Sequence, residues 1–188
     1  DDISTPDRLQ KEADFLDNNV DVGVVGSWVQ TFGRKMFVWK YLTNPEELRC
    51  NQLFNGGMAH PSVMIRKNLF KKYHLKYSEK FPTAMDYELW SRCARLFPLA
   101  NIGEALLQYR LHENQLSSKL SSVRAKLVGQ IRRRELTLTG LKFTPEEFTV
   151  HNQIAGNQFP SNSRFINLAE KWLTKIQRQL TDPAMAKV

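Results

Sequence analysis

Val22-Gly23-Val24-Val25-Gly26-Ser27-Trp28-Val29 is the stretch on which the fold turns. It is short, rich in valine and free of charge, which reads as a buried strand rather than a helix. Upstream, Leu9, Ala13 and Leu16 recur at helical spacing. Ser4 stands three residues before Asp7 in the manner of a capping box, and Pro6 suits a first helical turn, where its missing N–H costs little. A helix is therefore expected from about Thr5 to Asn18. Downstream, Lys35 to Lys40 reads as a second strand, with Thr31 to Arg34 as the turn between them. Pro45 opens a short helix. Asn55-Gly56-Gly57 breaks the chain before a strand over His60 to Ile65. Short and longer helices follow over Lys67 to Tyr73 and Asp86 to Phe97, the latter with Leu89, Trp90, Cys93 and Phe97 on its apolar side. Leu99 to Ile102 and Ala105 to Arg110 read as two final strands.

From Ser118 onward the texture changes. Leu120, Val123, Leu127 and Ile131 keep a helical period, as do Phe165, Leu168, Ala169, Trp172, Leu173, Ile176 and Leu180, and Pro145 starts a shorter helix between them. The expected architecture is α/β over residues 1–117, a mixed sheet with flanking helices, followed by an all-α lobe over 118–188.

A length of 188 residues fits one domain, or one domain with an appended lobe. Hydrophobic residues at 41% and charged residues at 24% exclude a disordered chain. Two cysteines, Cys50 and Cys93, exclude a disulfide scaffold and a zinc finger. No apolar run approaches the ~18 residues of a membrane span, and no signal peptide opens the sequence. The chain starts at Asp1 without methionine, as expected of a piece processed or cut from something longer. The net charge of +8 is uneven: residues 1–117 carry 15 basic and 14 acidic residues, whereas 118–188 carry 12 and 5. The lobe thus holds +7, which suits an anionic membrane surface, a polyanionic glycan or nucleic acid, or else a solvated helix face.

Several residue groups carry chemistry. Asp1-Asp2, before a helix, offers hard oxygen ligands for a divalent cation, although an acid there also complements the helix dipole. Asp86 and Glu88 start another helix, where a carboxylate facing a cleft can act as a general base, although an acid at a helix start is also favoured simply by the helix dipole. None of His60, His74, His112 and His151 is paired at a zinc-ligand spacing. His112 follows a strand and precedes a polar loop, the place of a ligand or, more commonly, of a plain surface histidine. His60 precedes a proline, so its backbone is expected to be extended beside a cleft. There is no Walker A loop, no Rossmann glycine pattern and no nucleophile elbow. Arg132-Arg133-Arg134 could contact phosphates, but no nucleic-acid-reading motif accompanies it, so no nucleic acid is expected.

Asp-Asp-Ile-Ser-x-Pro-x-Arg-Leu (1–9), Asp-Val-Gly-Val-Val-Gly-Ser (21–27), His-Pro-Ser-Val-Met-Ile-Arg (60–66), Asp-Tyr-Glu-Leu-Trp-Ser-Arg (86–92) and Tyr-Arg-Leu-His-Glu-Asn-Gln-Leu-Ser (109–117) occur in that order. The series resembles the catalytic domain of family 2 glycosyltransferases, the inverting GT-A enzymes of bacterial surface polysaccharide synthesis. The resemblance covers about residues 1–117, and the helical tail looks like an extension of some bacterial members. It implies that Asp1 is the second acid of a metal-binding Asp-x-Asp turn holding Mg²⁺ or Mn²⁺, with His112 able to reach the metal or the diphosphate. It implies Asp86 as the catalytic base; the family's Glu-Asp pair reads Met85-Asp86 here. Asp2, His60, Trp90 and Arg110 would bind donor or acceptor, although Trp90 also suits plain core packing. The partners implied are a nucleotide-sugar donor and a glycan or lipid-linked acceptor. The nucleotide-binding half of the fold, which precedes the Asp-x-Asp turn, would lie outside this chain, leaving an incomplete GT-A unit. A cytoplasmic protein is expected, with the basic lobe in peripheral contact with the anionic inner membrane face. A different class of reading is a non-catalytic module that binds glycan or membrane.

Overall fold

The computed structural model describes residues 2–112 and 121–181. They divide into two compact units, one formed by residues 1–52 and 56–127 and the other by 53–55 and 128–188.

The first unit is a five-stranded mixed sheet with flanking helices. Its spine is β2 (Val24–Gly33) lying parallel to β5 (Leu99–Leu111), in register from Val24 opposite Leu99 to Gly33 opposite Leu111. The expected valine-rich strand is present and runs on through Thr31 to Gly33, residues whose sequence reads as a turn. β1 (Ile3–Ser4) pairs antiparallel with β5, placing Ile3 opposite Gln108. On the other edge of β2 lie β3 (Val38–Trp39) and β4 (Met64–Ile65), both antiparallel. The two expected final strands are one, with a register shift opposite Ser27 to Val29 where the chain swings past Gly103 and Glu104.

Alternation along β2 splits the core between the two sheet faces. Val24 packs with Leu48, Met58, Leu89, Trp90, Cys93, Phe97 and Leu99, the cluster beneath α2 (Pro45–Asn51) and α4 (Met85–Cys93). Val25 packs on the opposite face with Leu16, Val22 and Ala100, against α1 (Arg8–Asn18). A sheet covered on both faces explains why β2 is apolar from Val24 to Val29 except for Ser27, which is itself fully buried. Burial pushes the Cys93 thiol up to about 12, so it serves as packing and not as a nucleophile. Between β4 and α4 lies α3 (Lys67–Lys72).

Three local expectations are corrected. Ser4 is paired in β1, so it caps nothing, and Asp7 is the N-cap of α1 without a side-chain bond. The buried positions of α1 are Glu12 and Leu16, while Leu9 is 62% exposed. The segment from His60 to Ser62 is a 3₁₀ turn, not an extended strand; Pro61 fits its first turn, and only Met64 and Ile65 join the sheet.

The second unit contains most of α5 (Ser121–Leu138), all of α6 (Pro145–Ala155) and all of α7 (Ser163–Thr181). Thr144 and Glu147 form a reciprocal capping box at the start of α6. Leu136, Leu141, Val150, Phe165, Trp172 and Ile176 make the core together with Leu53, which comes from far earlier in the chain. The buried His151 organises this core. Trp172 donates its indole N–H to His151 Nδ1 (3.2 Å), so the proton sits on Nε2, which donates to the Leu53 carbonyl (2.9 Å). Arg132 holds the same segment, donating from Nε to the Phe54 carbonyl at 2.8 Å, and reaches Asn152 Oδ1 (3.1 Å) and the Ala155 carbonyl (3.2 Å). Arg133 stacks on Phe148 (4.1 Å) and Arg134 bonds Glu135 (2.9 Å). The arginine run is therefore built into the lobe. Among the described residues no helix is long and apolar enough to cross a membrane.

Burial depresses the His151 imidazole to about 4. The unfolded chain takes up that proton near its ordinary 6.5, the folded lobe only near 4. The resulting stability is complete above about pH 6.5 and is lost as pH falls through 4, by about 3 kcal/mol. Amide exchange in α7, corrected for intrinsic rates, measures this; equal protection at pH 7 and pH 4 would contradict it.

Candidate functional site

The site is assembled within the first unit from both ends of the sheet sequence. Asp2 immediately precedes β1, and its Oδ1 accepts the backbone N–H of Arg110 on β5 (3.1 Å). The Arg110 guanidinium lies 4.5 Å above the ring of Phe32 on β2. Its neighbour Tyr109 packs against Trp39 of β3 with ring centroids 5.2 Å apart. Burial and the charge of Asp2 both raise the Tyr109 phenol.

Tyr41 comes next, just beyond β3. Trp28 Nε1 donates to its carbonyl (2.9 Å), and Asn101 Nδ2 bridges the following Leu42 carbonyl (2.8 Å) to that of Gly57 (3.0 Å). The half-buried Trp28 and the buried Asn101 thus tie the backbone at Tyr41 and Leu42. Burial first, then Tyr109 and the charge of Asp86, push the Tyr41 phenol up to about 12.

Asp86 is the second residue of α4 and is half-buried; its Oδ1 accepts the Tyr87 N–H at 2.8 Å. Tyr87 is anchored in turn, donating its hydroxyl to the Gln52 carbonyl (2.7 Å). The two carboxylates of this helix start have separate roles. Glu88 is 3% exposed and is gripped by the Arg92 guanidinium at 2.8–3.1 Å, an internal ion pair, while Asp86 faces the tyrosines. Burial and then Asp86 raise the Tyr77 phenol. Tyr77 OH is 2.9 Å from His60 Nε2. The 3₁₀ turn under His60 is held by Ser62, which is fully buried and whose Oγ donates to the Ala59 carbonyl (2.9 Å) and accepts the Ser27 N–H (3.2 Å).

Asp2 thus contacts Arg110 and His60 contacts Tyr77, while Asp86 is near enough to Tyr41 and Tyr77, and Asp2 to Tyr109, for its charge to raise those phenols. Trp90 is 0% exposed, with the His60 ring 6.4 Å away. It is a core residue: its faces are taken up by packing, which leaves none for an acceptor sugar. His112 is exposed just past the end of β5, and Asp1 lies outside the described residues. Among the described residues no three His, Cys, Asp or Glu side chains converge to hold a metal ion.

Three tyrosines of the chain's five carry the site, and sequence reading assigned no role to any of them. The signal was present: each stands in or beside a polar loop within ten residues of a motif residue or a strand end. Chemically, phenol, imidazole and carboxylate groups around half-buried aromatic rings suit a polyhydroxylated ligand. The rings cover its apolar C–H faces and the polar groups bond its hydroxyls.

No known family profile matches the chain. It is 28% identical over 148 residues to an uncharacterized glycosyltransferase of Haemophilus influenzae, spanning 73% of this chain and 46% of that protein. It is 34% identical over 125 residues to an uncharacterized glycosyltransferase of Methanocaldococcus jannaschii, spanning 62% of this chain and 42% of that one. A bifunctional glycosyltransferase of Dictyostelium discoideum is 25% identical over 154 residues, 63% of this chain and 20% of its own. The chain thus spans less than half the length of these relatives. All three of these proteins are described as glycosyltransferases.

Proposed function

We propose that this chain is the acceptor-side part of an inverting glycosyltransferase that moves sugar from a nucleotide-sugar donor to a glycan or lipid-linked acceptor, as in bacterial surface polysaccharide synthesis. The observation that carries the reading is the half-buried Asp86 carboxylate at the start of α4, with its field on Tyr41 and Tyr77. The acceptor hydroxyl would sit between these groups. Its proton passes to Asp86 as its oxygen attacks the anomeric carbon, and the bond to the diphosphate leaving group breaks on the opposite face. One displacement inverts the configuration and needs no covalent nucleophile. Tyr77 and His60 would hold a neighbouring hydroxyl, each able to donate or accept. Asp2, Arg110 and the Trp39–Tyr109 pair would line the side toward the donor. Mg²⁺ or Mn²⁺ belongs to this proposal through Asp1 and His112, as does residence at the cytoplasmic membrane face.

The test is release of nucleoside diphosphate from a panel of nucleotide sugars, with Mn²⁺ or Mg²⁺ supplied, by the shortest polypeptide containing this chain that is stable. Release of one diphosphate, accelerated by an acceptor glycan and giving a product of inverted anomeric configuration, is expected. Background release with every donor, or retained configuration, would overturn the reading.

A further inference from the structure

We propose that the loop between β2 and β3, residues 34–37, together with Val38 and Lys40 at either end of β3, is a membrane-docking surface for anionic phospholipid, and that the basic helical lobe is not. Arg34, Lys35, Met36, Phe37, Val38 and Lys40 are all exposed, Met36 at 81% and Phe37 at 41%. Between Asp21 and Glu46 the sequence holds these three cations and no acid. Large apolar side chains and cations projecting from one short segment match the two layers of a lipid surface, acyl carbon beneath and phosphate above.

The exposure is built in. Thr31 is fully buried; its N–H donates to the Phe37 carbonyl (2.8 Å) and its Oγ1 accepts the Phe37 N–H (2.9 Å). Gln30 Nε2 adds a bond to the same carbonyl (3.2 Å), and the Phe37 ring stands edge-on to Trp39 at 5.7 Å. Gly33 makes the turn in the left-handed region (φ +93°), where a side chain would strike the Leu111 carbonyl at 2.6 Å. A tied loop that points Met36 and Phe37 outward loses little ordering entropy when it meets a surface.

Among the described residues, the long helix α7 of the lobe lacks this combination, despite the lobe's larger charge. Arg132 and Arg133 are engaged within it, and Arg134, Arg164 and Lys175 are paired with Glu135, Glu146 and Glu147. On α7 the exposed apolar residues Ile166, Leu173 and Leu180 lie about 140° around the helix from Lys171 and Arg178. Apolar and basic groups there face different directions.

Flotation with vesicles of phosphatidylcholine alone, or with phosphatidylglycerol added, tests the proposal. The chain is expected to float with the anionic vesicles and poorly with the neutral ones. Met36→Ser/Phe37→Ser weakens partitioning by roughly tenfold or more, and Lys35→Glu/Lys40→Glu abolishes the preference for anionic lipid. Lys171→Gln/Arg178→Gln leaves binding unchanged. All six positions are on the surface, and unchanged circular dichroism verifies the fold. Full binding by both loop variants, loss in the α7 variant alone, no flotation of the unaltered chain, or a loop-dependent dimer in place of lipid binding would each overturn it. Because the readout is lipid binding, the result stands apart from whether the protein transfers sugar.

Discussion

Sugar transfer falls by about 10²–10⁴-fold when Asp86 becomes Asn, with donor binding changed little. Asn keeps the shape of the side chain and an Oδ1 that still accepts the Tyr87 N–H, so α4 starts as before. What is lost, on the proposed function, is the group that would take the acceptor proton as the new bond forms. A second signature separates this role from a structural one. The negative charge at Asp86 contributes to holding the Tyr41 and Tyr77 phenols up, so both titrate at lower pH in the variant while burial still keeps Tyr41 high. Absorbance near the phenolate band reads that shift without any turnover. Retained turnover would exclude Asp86 as the base, and an unmoved tyrosine titration would show that the carboxylate does not face the phenols.

Glu12→Gln stabilises the first unit at pH 8 and leaves it nearly unchanged at pH 4. Glu12 is 0% exposed, neither carboxylate oxygen has a hydrogen bond, and the nearest cation, Arg8 Nη1, is 3.9 Å away. Burial raises the carboxyl to about 7 against the partial relief from Arg8. The folded state therefore keeps this proton to higher pH than the unfolded state, which loses it near 4.5. Stability falls as pH rises from 4.5 to 7 and is level above, a loss of about 3 kcal/mol. Gln removes the titration, so the difference between the two proteins grows over that window. Urea unfolding at pH 4 and pH 8, with α1 followed by amide exchange, measures it. A constant difference at both pH values would show that Glu12 is ionised in the fold. The slope is opposite in sign to that of His151, so each must be read in its own unit.

Periodic segments were legible in the sequence because burial there follows a repeat. β2 and the three lobe helices are where valine and leucine spacing puts them. The failures have physical causes. Glu12 is polar yet occupies the buried stripe of α1, and Leu9, which looked like part of that stripe, faces outward; hydropathy reads neither. The His60 segment has strand-like residues, but Pro61 and the buried Ser62 hydroxyl favour a 3₁₀ turn. Asp86 and Asp2 stood out as acids beside helix starts, and the structure shows what each touches: the Tyr87 N–H for Asp86 and the Arg110 N–H for Asp2. Their tyrosine neighbours stayed hidden because contacts such as Tyr109 with Trp39 join residues 70 positions apart in sequence. Trp90 shows the converse: aromatic character alone does not separate a sugar platform from a core side chain, and only its complete burial does.

The grip of His151 and Arg132 on Leu53 and Phe54 has a consequence for synthesis. The hydrogen bond from His151 closes a loop of 98 residues, so on the ribosome Leu53 and Phe54 emerge long before their partners exist. Nascent chains must shield this apolar hook until α6 and α7 are made. Any truncation that removes residues after 127 strips its cover permanently, and such a fragment is expected to aggregate through this turn after α2 rather than through its sheet.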